Sequence, residues 1–109
     1  MFFILKYLIK VAIYEDNEAL RQTLSHLVKG SGSMELTGAF RDANSIIAHC
    51  RNACPEIILM DIDMPGINGI EATAQVKSSF PEIQILILLF SATGKRYLMH
   101  FVQAPPVIF

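Results

Sequence analysis

Along this chain, short apolar runs that stop at an acid or a turn alternate with stretches of helical period. Lys10-Val11-Ala12-Ile13-Tyr14 reads as a strand ending at Glu15-Asp16. Asn17 is placed to cap a helix with Glu18 in its first turn, and Leu20, Leu24, Leu27 and Val28 follow at helical spacing. Gly30-Ser31-Gly32-Ser33 ends that helix. This glycine pair is no phosphate-binding loop, because a helix precedes it and none opens after it. Met34 to Phe40 predicts a second strand. Asp42 or Asn44 is placed to cap a second helix, whose apolar stripe is Ala43, Ile46, Ile47, Cys50 and Cys54. After Pro55, Ile57-Ile58-Leu59-Met60-Asp61 forms a third strand, stopped by Pro65-Gly66. Ile70 to about Ser79 predicts a third helix with Ile70, Thr73, Val76 and Phe80 facing inward, and Ile83 to about Phe90 a fourth, very apolar strand.

The alternation of strand and helix implies an α/β doubly wound parallel sheet, with right-handed crossovers and helices on both faces. Apolar runs without alternation fit strands buried on both sides. From Ser91 to Phe109 the pattern breaks: no helical period is visible, and Pro105-Pro106 cannot sit inside a helix or a central strand. The sheet is therefore expected to be incomplete after its fourth strand, with one edge and part of one face uncovered.

The acids at the strand ends carry the chemistry. Open parallel sheets hold their ligands at the carboxyl ends of their strands, so Asp61 stands at the reactive edge with Asp63 beside it. Alone, this segment reads equally well as a strand followed by a solvated acidic turn. The second acid-ended strand, with Glu15 and Asp16, decides between them, because the two ends converge if the strands are neighbours. Three carboxylates in one cleft raise each other's pKa values unless a cation sits among them. Oxygen-only ligands at an open site suit Mg²⁺, and a carboxylate beside that ion can attack phosphorus to give an aspartyl phosphate.

Composition narrows the picture. At 109 residues one domain is expected, and 52% hydrophobic residues can build a sizeable core. A formal net charge of −1 without a basic block marks no nucleic-acid or membrane surface. Met1 to Ile9 is apolar, but Lys6 and Lys10 interrupt it; even extended to Tyr14 it is too short to span a membrane, and it lacks a small-residue cleavage site. Cys50 and Cys54, without a second pair for zinc, read as small core residues in a reducing cytoplasm. His26, His49 and His100 show no ligand-like spacing.

Residues 9–88 resemble the receiver domain of two-component response regulators of the NarL/FixJ type. The motifs are Glu15-Asp16-Asn17 after the first strand, and Met60-Asp61-Ile62-Asp63-Met64-Pro65-Gly66-Ile67-Asn68-Gly69-Ile70-Glu71 after the third. The resemblance implies a five-stranded flavodoxin-like (CheY-like) fold, transfer of a phosphoryl group from a sensor histidine kinase, and a cytoplasmic signalling role without conventional enzymatic turnover. By position it implies Asp61 as phosphoacceptor, Asp16 as direct Mg²⁺ ligand, Glu15 as second member of the acidic pair, and the Asp63 main-chain carbonyl as completing the metal site. A DNA-binding effector domain, expected after such a receiver, is not in this chain, so the chain alone is not expected to bind DNA.

Residues 89–109 depart from the family, as if its C-terminal part were missing or shifted in reading frame. At the usual spacing the family's switch hydroxyl falls on Leu89, which has none; Ser91 is the nearest stand-in. The family's later lysine has no counterpart, Lys95 coming too early. Two other readings stand beside the receiver. A non-catalytic interaction module would use the uncovered edge for self-association as a homodimer. A phosphohydrolase of the haloacid-dehalogenase type would use Asp61-Ile62-Asp63 as nucleophile and acid/base, but Pro65 and the short remaining chain disfavour it.

Overall fold

The computed structural model describes residues 7–90 and 94–101. The chain runs β1 (Ile9–Tyr14), α1 (Glu18–Gly30), β2 (Met34–Phe40), α2 (Ile46–Ala53), β3 (Ile57–Asp61), α3 (Gly69–Ser79), β4 (Gln84–Phe90) and β5 (Arg96–Phe101). The strands form one sheet in the order β2-β1-β3-β4-β5. The β1·β2, β1·β3 and β3·β4 pairs are parallel, and β4·β5 is antiparallel. The chain reverses its direction of winding between β1 and β3, where the crevice of such a sheet opens.

Side chains of period two give the sheet its two faces. Ala12, Tyr14, Ile58, Met60 and Ile85 pack with Ile46 and Cys50 of α2 and with Ala72 and Val76 of α3. Val11 and Ile13 pack on the other face with Val28 and Leu24 of α1. Asn17 caps α1 by accepting from the Leu20 N–H at 2.9 Å, and Asn68 caps α3 by accepting from the Glu71 N–H at 2.9 Å.

Several details differ from the sequence reading. The cap of α2 is Ser45, without a side-chain hydrogen bond. Asp42 instead accepts from the Asn44 N–H at 3.0 Å, and Asn44 from the Ile67 N–H at 3.4 Å. Leu27 and Ile70 are 65% and 62% exposed, because the buried stripes of α1 and α3 are narrower than their apolar ones. Cys54 is exposed and lies past the end of α2 with φ 49°, so of the cysteine pair only Cys50 is buried.

The largest difference is at the edge expected to be open. It carries β5, whose register runs from Ile85↔Phe101 to Phe90↔Arg96. Only residues 91–95 separate β4 from β5. A parallel crossover needs a dozen residues or more, so a strand added this soon has to run antiparallel. No helix follows β4 among the described residues, and Tyr97, Leu98 and Met99 are 50%, 57% and 54% exposed. Among the same residues, no helix is long and apolar enough to cross a membrane.

Candidate functional site

Tyr14 pairs with Met60 across the parallel β1·β3 ladder, so the next residues, Glu15 and Asp61, stand side by side at the rim of the sheet. The Glu15 N–H donates to the Phe40 carbonyl at 2.9 Å, which carries the β1·β2 pairing one residue past the strand. Oxygens of Glu15, Asp16 and Asp61 all lie within 4.8 Å of one another. Glu15 is 2% exposed and Asp61 7%, whereas Asp16 faces solvent. Below them, the Arg21 guanidinium donates to the Glu15 carbonyl oxygen at 2.9 Å. That bond fixes the loop.

The carboxylates are crowded and only partly satisfied. Glu15 Oε2 accepts from the Asn17 N–H at 3.2 Å, but Glu15 Oε1 is buried without a hydrogen-bond partner. Such an orphan is costly in a fold that pairs nearly all its buried polar atoms. Burial first, then hydrogen-bond contact with the Glu15 and Asp16 carboxyls and the Glu15 charge, push the Asp61 carboxyl up to about 8. The Asp63 N–H, donating to Asp61 Oδ1 at 3.2 Å, pulls the other way. A small divalent cation fits this set: the donors are hard oxygens, one lacks a partner, and their repulsion is what a cation relieves.

The turn after β3 is held by a close approach of α3. The Gly69 N–H donates to the Ile62 carbonyl at 2.9 Å. A Cβ at Gly69 would come within 2.2 Å of the Asp61 carbonyl oxygen and 2.8 Å of Ile62 Cα, so only glycine fits there. Gly66, at φ 79°, takes the left-handed conformation the turn requires.

Glu15, Asp16 and Asp61 are therefore brought together, as expected of two neighbouring strands that each end in acids. Asp63 lines the same cleft, exposed, and reaches the cluster through its main-chain N–H. Ser91 lies outside the described residues. Leu89 is half-buried and one step past Leu88, the partner of Asp61, so it belongs to the opposite face of the sheet.

Arg96 was missed in sequence. It lines a cleft of about 680 Å³ together with Glu15, Asp16, Asn17, Asp61 and Asp63. A parallel fifth strand would begin at the far rim, but the reversal of β5 puts its first residue at the carboxyl rim. The shortness of segment 91–95 was the available signal. A second cleft, of about 670 Å³ and mostly apolar, opens near the amino ends of β1, β3 and β4 around Ile9, Pro55, Phe80 and Ile83, away from the acidic cluster.

Comparison with known proteins converges on one family. A model of the response regulator receiver domain matches residues 11–104. The uncharacterized transcriptional regulatory protein YxjL of Bacillus subtilis is 31% identical over 99 residues, covering 91% of this chain and 45% of that protein. The response regulator VraR of Staphylococcus aureus is 34% identical over 80 residues, covering 73% of this chain and 38% of that protein. The chain thus spans less than half the length of these curated relatives. Among solved structures, the response regulator domain of Thermotoga maritima CheB aligns with TM-score 0.69 and 26% identity, over 73% of this chain and 59% of that one. A LuxR-family DNA-binding response regulator from Staphylococcus aureus aligns with TM-score 0.68 and 28% identity, over 73% and 67%.

Proposed function

The chain belongs to the response regulator receiver domain family, and from that premise we propose that it is one receiver unit that takes a phosphoryl group on Asp61. The convergence of Glu15, Asp16 and Asp61 within 4.8 Å, with one buried oxygen left unpaired, carries this reading. Asp16, Asp61 and Glu15 are the residues that would hold Mg²⁺, with the Asp63 main-chain carbonyl completing the set. When bound, the ion supplies charge neutralisation between the carboxylate and the incoming phosphoryl oxygens.

In the transfer, a carboxylate oxygen of Asp61 attacks phosphorus in line with the bond to the donor. The donor is a phosphohistidine of a sensor kinase or a small acyl phosphate. The new O–P bond forms as the donor's bond to phosphorus breaks, and the electron pair leaves with the donor. On a histidine donor that pair remains on the ring nitrogen, which takes up a proton from water. Little covalent work falls to the protein; its part is placement and electrostatics. The Asp63 N–H holds one oxygen of Asp61, which leaves the other for attack. Regulation of transcription would require a DNA-binding part, of the kind named for the LuxR-family response regulator from Staphylococcus aureus.

Incubation with Mg²⁺ and acetyl phosphate, read by intact mass, tests the proposal. One added phosphoryl group that Asp61→Asn lacks is expected; no adduct on the wild-type chain removes the phosphoacceptor reading. Exposed Tyr97, Leu98 and Met99 favour a second, compatible property, self-association. Light scattering checks it: a concentration-independent monomer would oppose it.

A further inference from the structure

We propose that Arg96 is a phosphoryl-positioning residue, entering the acidic cleft from a strand that runs opposite to the rest of the sheet. The inference rests on the phosphoacceptor reading of Asp61 and adds to it the residue that holds the transferred group from the far side.

The pairing pattern supplies the geometry. Asp61 pairs with Leu88, and Leu88 pairs with Leu98. Arg96 is two residues from Leu98, so it shares the face of the sheet that bears Asp61 and Leu88, as does Glu15, next after Tyr14. Across the rim the order is Glu15 just past β1, Asp61 on β3, Leu88 on β4 and Arg96 on β5. Asp61 thus stands between the acidic pair and the cation. Strands about 4.8 Å apart with a rise of about 3.3 Å per residue put the Arg96 Cα about 12 Å from that of Asp61. An extended arginine side chain crosses more than half of that gap, and what is left is of the size of a phosphoryl group. Leu88, half-buried and apolar, is the pairing partner that stands between the two strands on this face.

Chemistry favours the same assignment. A phosphoryl group on Asp61 presents oxygens towards both sides of the cleft. The carboxylates of Glu15 and Asp16 repel those oxygens and need a cation between. On the β5 side Arg96 is the cationic residue lining the cleft, and a guanidinium matches two phosphoryl oxygens with paired N–H donors. Had β5 run parallel, this residue would lie at the other end of the sheet.

The test uses the whole chain, Mg²⁺, and beryllium trifluoride as the phosphoryl probe, in wild type, Arg96→Gln and Arg96→Lys. The fluoride is expected to bind Arg96→Gln about tenfold or more weakly, the scale of one charge-assisted contact, with partial recovery in Arg96→Lys. Mg²⁺ without the fluoride is expected to bind Arg96→Gln at least as tightly as wild type, because a cation has left the cleft. Fluoride binding by Arg96→Gln equal to wild type would overturn the role of Arg96 while leaving Asp61 as acceptor. A parallel loss of Mg²⁺ and fluoride affinity would mark Arg96 as structural and also overturn it. Failure of the wild-type chain itself to take up the fluoride would remove the phosphoacceptor reading, and the role of Arg96 with it.

Discussion

The two halves of the sheet rim are built differently. On the β1–β3 side, the acids follow a parallel ladder, with a capped helix after Asp16 and a glycine with no room for a side chain against the Asp61 backbone, so the cluster is fixed from several directions. On the β4–β5 side, an antiparallel strand with exposed Tyr97, Leu98 and Met99 takes the edge, and no described helix follows β4. The first side holds the proposed ion ligands and the proposed acceptor, and the second side brings Arg96 to the same cleft. On the second side Leu89, near the end of β4, offers no hydroxyl. The comparison teaches that such a sheet can keep its acidic cluster at one part of the rim while an antiparallel strand takes the edge beside it.

The largest expected effect separates the two sides outright. Asp61→Asn abolishes phosphoryl uptake by intact mass, whereas Leu89→Ala leaves uptake measurable. Next, Asp16→Asn or Glu15→Gln lowers Mg²⁺ affinity by roughly tenfold or more, the scale of one charge-assisted contact; calorimetric titration reads it. Gly69→Ala, which sets a Cβ against the Asp61 backbone, lowers stability by about 1–3 kcal/mol in urea unfolding.

A pH effect follows from the crowding. The folded Asp61 carboxyl sits at about 8, above its ordinary value near 4, so the folded state holds more protons than the unfolded one between those values. In metal-free buffer its contribution is therefore fully present below pH about 4 and is lost as pH rises through about 8. Thermal unfolding should show Mg²⁺ raising the midpoint more at pH 8 than at pH 5, with this difference reduced in Asp61→Asn. The smallest effect belongs to the edge: Leu98→Gln should change stability by no more than about 0.5 kcal/mol, as for other exposed positions.

How much was legible in the sequence follows the same division. Strands β1 to β4 and helices α1 to α3 could be read because apolar runs, Asn17 as cap and Pro65-Gly66 as stop all agree with the parallel fold. The acidic cluster could be read because parallel neighbours put their carboxyl ends on one rim. The face of α3 was misjudged at Ile70, since an apolar residue in the first turn of a helix can project past the sheet it packs on. β5 and the place of Arg96 were hidden because Arg96–Phe101 has no clean alternation, and strand direction is set by the length of the preceding connection rather than by composition.

Substitution of Mn²⁺ for Mg²⁺, followed by amide NMR, tests most directly whether three carboxylates from two strand ends make one ion site. Saturable broadening confined to the backbone around Glu15, Asp16, Asp61 and Asp63, and absent in Asp16→Asn, is the predicted result. Broadening spread over the surface acids, or none that saturates, would contradict the account.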